Sequence, residues 1–161
     1  GFTTVGIDED PAVVAYARQM AEYFRPLYPV LIERAEASDL SLFHGGFDLV
    51  YSLGLLEHFE PATTIALLQE QALCAPRVLV AVPTRFTKYA GTITDESLYR
   101  RRQVCDLVRC AGLHVRESFI YGEVPTRTAR NLERCLPGTI YRKIKHVFTY
   151  GMGICCVGER P

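Results

Sequence analysis

The fold is decided by the stretch FDLVYSLGLLEHF, residues Phe47–Phe59. Residues 47–52 form a short apolar run with β-branched and aromatic side chains, which is typical of a strand buried on both faces. A loop with a glycine, an acid and a histidine follows. Pro61 then opens a helical pattern with Ile65, Leu68 and Ala72 on one side. A strand, a loop and a helix in this order form the unit of α/β folds.

The same alternation continues on both sides of this stretch. We predict further strands over 3–7, 30–32, 78–82, 114–121 and 152–157. A helix is predicted after Pro11, and another between Thr94 and Gly112, which suit a helix start and a helix end. The apolar face of the first helix is predicted to contain Val13, Ala17, Met20 and Phe24.

These elements predict one α/β domain over residues 1–161, with a largely parallel sheet. The last strand is expected to run antiparallel, in an edge hairpin with the strand before it. Segment 123–146 is basic and interrupted by Pro137–Gly138, and we interpret it as a cap or insertion. Gly151 and Gly153 are expected to serve close packing or a bend in a strand.

Composition restricts the class of protein. The chain has 48% apolar and 22% charged residues, which is ordinary for a folded domain. No apolar run approaches the about 20 residues of a membrane helix, and no signal-peptide pattern opens the chain. We therefore expect a cytoplasmic protein without membrane contact. The six cysteines contain no CxxC pair, so we predict no metal site. Several of them fall within apolar patterns, and there we expect reduced, buried thiols.

Charge is unevenly distributed along the chain. Residues 1–70 carry 11 acidic and 3 basic side chains, whereas residues 71–161 carry 7 and 15. The basic half suits an anionic group on a substrate, or an ordinary solvated surface. With zero net charge and no run of exposed aromatic residues, we do not expect dedicated nucleic-acid binding.

Three segments in chain order resemble the class I S-adenosylmethionine-dependent methyltransferases, in particular those that act on small molecules. The first is VGIDEDP, residues Val5–Pro11. The resemblance implies that Asp8 binds the two ribose hydroxyls of the cofactor, as a carboxylate can do through charge-assisted hydrogen bonds. Two alternatives stay open at Asp8: nicotinamide enzymes place an acid at the same point, and an aspartate can also simply start a helix.

The second segment is AEASDL, residues Ala35–Leu40. Here the resemblance implies that Glu36 accepts a hydrogen bond from the adenine amino group, while the N–H of Ala37 meets a ring nitrogen. The alternative for Glu36 is an ordinary solvated loop acid.

The third segment is Phe47–Phe59 itself, which resembles the family's fourth strand and the loop after it. The resemblance implies that Ser52, Leu53 and Gly54 line the methionine end of the cofactor. A plain Rossmann dehydrogenase has no reason to carry this stretch. His58 is the catalytic candidate, as a general base on a hydroxyl or an amine. The alternative is that His58 caps or packs against the following helix.

The implied function is methyl transfer from S-adenosylmethionine to an oxygen, nitrogen or carbon of a small molecule, with an anionic acceptor favoured by the basic segment. Tyr121 and Glu123 are weaker candidates for the rim of the pocket. Two alternatives remain open. One is a non-catalytic binding or assembly subunit with the same fold, and the other is an NAD(P)-dependent oxidoreductase that uses Asp8. The oligomeric state is not predicted.

The family's first strand and the glycine-rich loop after it have no counterpart in this sequence. Gly1–Phe2 resembles the turn just before the second strand. In the family the first strand lies at the centre of the sheet, so we expect the chain to belong to a longer protein. The strands beginning near Thr3 and Phe47 should then flank a gap, be bridged by another segment, or pair directly.

Overall fold

A computed structural model describes residues 2–24, 30–86, 98–122, 124, 131 and 133–161, with the backbone only at Lys145. The strands are β1 (Thr4–Asp8), β2 (Val30–Arg34), β3 (Val50–Leu53), β4 (Arg77–Pro83), β5 (His114–Tyr121) and β6 (Gly153–Glu159). The α-helices are α1 (Pro11–Phe24), α2 (Pro61–Cys74), α3 (Arg101–Cys110) and α4 (Gly138–Phe148). Within the described residues, no helix is both long and apolar enough to cross a membrane.

The strands form two sheets. β1 and β2 pair in parallel, with Asp8 beside Arg34 at their carboxyl ends. The other sheet has the order β3–β4–β6–β5, in which β3 is parallel to β4 and β6 is antiparallel to both of its neighbours. The predicted mostly parallel arrangement with an antiparallel last strand is confirmed. The expected antiparallel edge hairpin is also present, since β6 pairs with β5 at one edge of the sheet, with β6 on the inner side of that hairpin and β5 as the edge strand.

No strand pairing joins β1 to β3 within the described part of the chain. Direct pairing of these two strands is therefore excluded there, and no described segment bridges them. Among the described residues the strands therefore form two sheets that no strand pairing joins. Each of the two strands presents one edge of N–H and C=O groups that no described strand pairs.

The hydrophobic core lies between the four-stranded sheet and the helices α2 and α3. Its central side chains are Leu68, Val78, Val80, Val82, Val108, Ile154 and Cys156, each no more than 2% exposed. The alternation of β4 directs Val78, Val80 and Val82 to the same face, where they meet Leu68 of α2. Full burial of one such aliphatic side chain stabilises the fold by about 1.5–3 kcal/mol.

Two sequence predictions about burial are wrong. Tyr51 and Leu53 of β3 are 57% and 63% exposed, because α2 covers one face of this strand and no described element covers the other. On α1 the buried residue is Val14, whereas Val13 and Phe24 are 44% and 46% exposed. Apolar residues occur on several adjacent faces of α1, so their periodicity alone could not predict which face is buried.

The boundaries of the elements agree more closely with the sequence. β5 has the predicted bounds, and α2 begins at Pro61 as expected. α3 begins at Arg101, and the predicted cap at Thr94 lies outside the described residues. Gly112 follows this helix with a φ of +85°, a backbone conformation that favours glycine.

Candidate functional site

The site is built at the carboxyl ends of the strands, beginning with Asp8. The N–H of Ala35 donates to the backbone oxygen of Asp8 at 3.1 Å, and this bond holds the loops after β1 and β2 together. Among the described residues, the Asp8 carboxylate accepts one hydrogen bond, at Oδ1 from the N–H of Asp10 at 2.9 Å. The side chain of Asp8 is half-buried at the last position of β1. Its second carboxylate oxygen can therefore accept from a ligand.

The loop after β2 places Glu36 and Ala37 beside this aspartate. Glu36 is exposed, and its Oε2 is 3.4 Å from the hydroxyl of Ser38. Ala37 packs its methyl group against the core. Its N–H makes no hydrogen bond within the described residues, and so it is available as a donor.

The loop after β3 begins at Gly54, whose φ is +68°. Its N–H donates to the backbone oxygen of Ala81 at 3.0 Å, which fixes the turn to the neighbouring strand. Leu53 is exposed on the open face of the sheet. Ser52 is directed the other way, since its hydroxyl is 3.4 Å from Gln71 Oε1 of α2. The side chain of Ser52 is therefore directed toward α2.

His58 ends the short 3-10 helix Leu56–His58 that follows this turn. Its N–H donates to the backbone oxygen of Leu55 at 3.3 Å, and its side chain is exposed. An exposed imidazole is accessible to a substrate at this edge. The general-base role stays a prediction.

Sequence reasoning missed Glu57, which is 4% exposed. Its Oε1 is 3.4 Å from the position that a Cβ on Gly54 would take, so the carboxylate lies against the turn after β3. The signal in the sequence is an acid flanked by apolar side chains in LLEHF. Such a pattern suits a buried residue better than a solvated one.

Two aromatic side chains and a cation lie beyond the carboxyl end of β4. Thr84 is fully buried, its hydroxyl donates to the backbone oxygen of Gly151, and it accepts from the N–H of Phe86 at 3.1 Å. The Phe86 ring meets Tyr150 edge-on, with centroids 4.9 Å apart. The Arg85 guanidinium lies 4.9 Å over the Phe86 ring.

Tyr121 ends β5 at the same edge of the sheet. A Cβ on Gly153 would lie 2.3 Å from Cζ of Tyr121, so the ring covers this glycine, and the prediction of close packing is confirmed. Burial raises the pKa of the Tyr121 phenol, and the Cys155 thiol and the Glu57 carboxylate add to that rise. Glu123 lies outside the described residues.

The basic segment is described in part. Arg127 and Arg130 lie outside the described residues, whereas Arg142 and Lys143 are exposed on α4. This helix packs against β5. The helix therefore lies beside the strand that ends at Tyr121.

No family model and no curated protein sequence matches the chain. Solved structures do match it. A putative methyltransferase in complex with the Haloferax volcanii Trm112 methyltransferase activator is 19% identical, with a TM-score of 0.67 over 99% of this chain and 72% of that one. Magnesium protoporphyrin IX methyltransferase from Synechocystis with bound S-adenosylhomocysteine is 15% identical, with a TM-score of 0.66 over 100% and 65%. The small RNA methyltransferase HEN1 is 14% identical, with a TM-score of 0.69 over 98% and 20%.

The chain has the Rossmann-like fold of the class I methyltransferases. It spans about two thirds of the porphyrin methyltransferase and one fifth of the RNA methyltransferase. The acceptors named for these proteins are a porphyrin and an RNA. The fold therefore does not decide which class of molecule this protein acts on.

Proposed function

We propose that the protein uses S-adenosylmethionine to methylate an oxygen, nitrogen or carbon of a small molecule that carries an anionic group. One observation carries the proposal. Asp8 ends β1, the Glu36–Ala37 loop follows β2 and the Gly54 turn follows β3, so each lies at the carboxyl end of a strand that has a parallel neighbour, as an S-adenosylmethionine site of this fold requires. The resemblance assigns them to the ribose, the adenine and the methionine end of the cofactor, respectively.

The residues present fit most of the cofactor. One oxygen of Asp8 is open to the ribose hydroxyls, the N–H of Ala37 is an available donor for adenine, and Gly54 allows close backbone approach. The described residues contain no glycine-rich loop that would hold the amino acid end. We assign that end to residues other than those described.

The chain's own residues have limited chemistry to perform, because the bound cofactor supplies an electrophilic methyl group. Alignment of the acceptor with that group accounts for much of the rate. A hydroxyl acceptor also loses a proton, which the imidazole of His58 can accept. Arg142 and Lys143 supply positive charge for an anionic acceptor.

The deciding experiment is calorimetric titration of the full-length protein that contains this chain with S-adenosylmethionine, S-adenosylhomocysteine and NAD. Micromolar binding of the first two and none of NAD is the expected result. Binding of NAD alone would support the oxidoreductase. Binding of none would support the non-catalytic subunit.

A further inference from the structure

The helix α4 leaves most of its apolar side uncovered. Ile140, Val147 and Phe148 are 47%, 73% and 63% exposed, and they share one side of the helix with the half-buried Ile144. Tyr141 is the one buried residue among the described side chains of this helix, which packs on β5. Single exposed apolar residues are common, whereas several on one side of a helix mark an interaction surface.

The rest of α4 is basic. Arg142, Lys143 and His146 are exposed, and the sequence of the helix contains no aspartate or glutamate. Lys143 precedes Val147 by four residues, so a cation borders the exposed apolar side chains. Neither Arg142 nor Lys143 forms an ion pair with a residue that the structure describes. Both charges are therefore available to an anionic partner.

The combination of the two surfaces indicates the kind of partner. Apolar side chains bordered by lysine and arginine fit the boundary between anionic lipid headgroups and acyl chains. A nucleic acid would use the cations but would leave the aliphatic side chains without a role. A specific protein interface needs about 20–30 residues a side, far more than these few side chains, whereas a fluid lipid surface sets no such minimum.

We propose that α4 binds the surface of a membrane that contains anionic lipids. Ile140, Val147 and Phe148 enter the interfacial region, and Arg142 and Lys143 meet the headgroups. The helix lies along the surface, because its 11 residues span about 16 Å and the hydrocarbon core is about 30 Å thick. The sequence expectation of no membrane contact rested on the lack of a spanning segment, and it did not consider a helix that lies on the surface.

Vesicle co-sedimentation of the full-length protein tests this inference. One set of vesicles is phosphatidylcholine alone, and the other contains about one third phosphatidylserine. The wild type should sediment with the mixed vesicles and about tenfold less with phosphatidylcholine alone, and added salt should reduce the difference. The double variant Val147→Ser, Phe148→Ser should bind the mixed vesicles about tenfold more weakly or less still, because two apolar side chains are lost from the interface.

The matched control is the double variant Tyr23→Ser, Leu42→Ser. It removes an aromatic and an aliphatic side chain that are 75% and 93% exposed elsewhere on the protein, and it should sediment as the wild type does. Circular dichroism checks that each variant is folded. Ile140→Ser provides a second variant in case the first does not fold, and it should weaken vesicle binding by a smaller factor.

Equal sedimentation of the wild type with both kinds of vesicle would overturn the inference, since anionic lipid would then have no part in binding. Sedimentation with neither would overturn it in favour of a protein partner for this side of α4. If the double variant binds the mixed vesicles as the wild type does, the cations alone hold the protein, and the inference is wrong. The experiment uses no cofactor, so its outcome is separate from that of the proposed methyl transfer.

Discussion

Asp8 is the residue on which the cofactor assignment depends most. Asp8→Ala should weaken S-adenosylmethionine binding to the full-length protein by roughly 1–3 kcal/mol, the scale for a lost hydrogen bond to a charged group. Glu9→Ala, which removes an exposed neighbouring carboxylate, is the control and should leave the affinity unchanged. Calorimetry that finds equal affinity for wild type and the Asp8 variant would remove Asp8 from the site.

His58 can be tested separately from cofactor binding. If it acts as a base, His58→Ala should lower turnover about 10²-fold or more while the cofactor Kd holds. His114, which is also exposed, supplies a control substitution away from the loop. Unchanged turnover with a lower melting temperature would instead assign His58 a packing role.

The cysteines give a prediction that needs no substrate. Burial raises the pKa of the Cys156 thiol to about 12, and its neighbour Cys105 adds to the rise. Because the thiolate is the reactive form, Cys156 should stay protonated and unreactive at pH 8. Brief treatment of the native full-length protein with iodoacetamide should modify the exposed Cys110 and Cys135, as read by peptide mass spectrometry. Equally fast modification of Cys156 would contradict the described core.

At the scale of the element, α4 is the helix whose functional role most needs an experimental test. It packs on β5 and carries exposed Arg142 and Lys143. If α4 lies over the site of the methyl acceptor, replacing both Arg142 and Lys143 by glutamate should raise KM for an anionic acceptor. Added salt should reduce the difference in KM between the variant and the wild type. The control is Arg102→Glu on α3, whose side chain is 92% exposed. If KM changes neither with charge reversal nor with added salt, the exposed face of α4 is an ordinary solvated surface with respect to the acceptor.

At the scale of the whole molecule, the main feature is that the described strands form two sheets that no strand pairing joins. Tyr51 of β3 is 57% exposed, and Val5 and Ile7 of β1 are only half-buried. Each of these two strands also has one edge that no described strand pairs, and such an edge favours association between chains.

The isolated 161-residue chain should therefore unfold in a broad denaturant transition, or aggregate. Denaturant unfolding, monitored by circular dichroism, measures the breadth of this transition. A soluble monomer of the isolated chain that unfolds cooperatively and binds S-adenosylmethionine at micromolar concentration would contradict this account.

The sequence by itself determined the elements of this protein and their order. Pro61 marks the start of α2, Gly112 follows α3, and the alternation over 114–121 has the bounds of β5. These signals are local, because backbone preference and side-chain period depend on residues within a few positions of each other. The site predictions at Asp8, Glu36, Ala37 and Gly54 came from resemblance rather than from such signals.

Only the tertiary structure decided which side chains those elements cover. It left Tyr51 exposed in an apolar run, buried Glu57 beside the Gly54 turn, turned Ser52 toward α2, and placed β6 between β4 and β5. Burial and strand neighbours depend on contacts between segments far apart in the sequence. A local sequence pattern can indicate that one face of an element is apolar, but that face is buried only where another element packs against it.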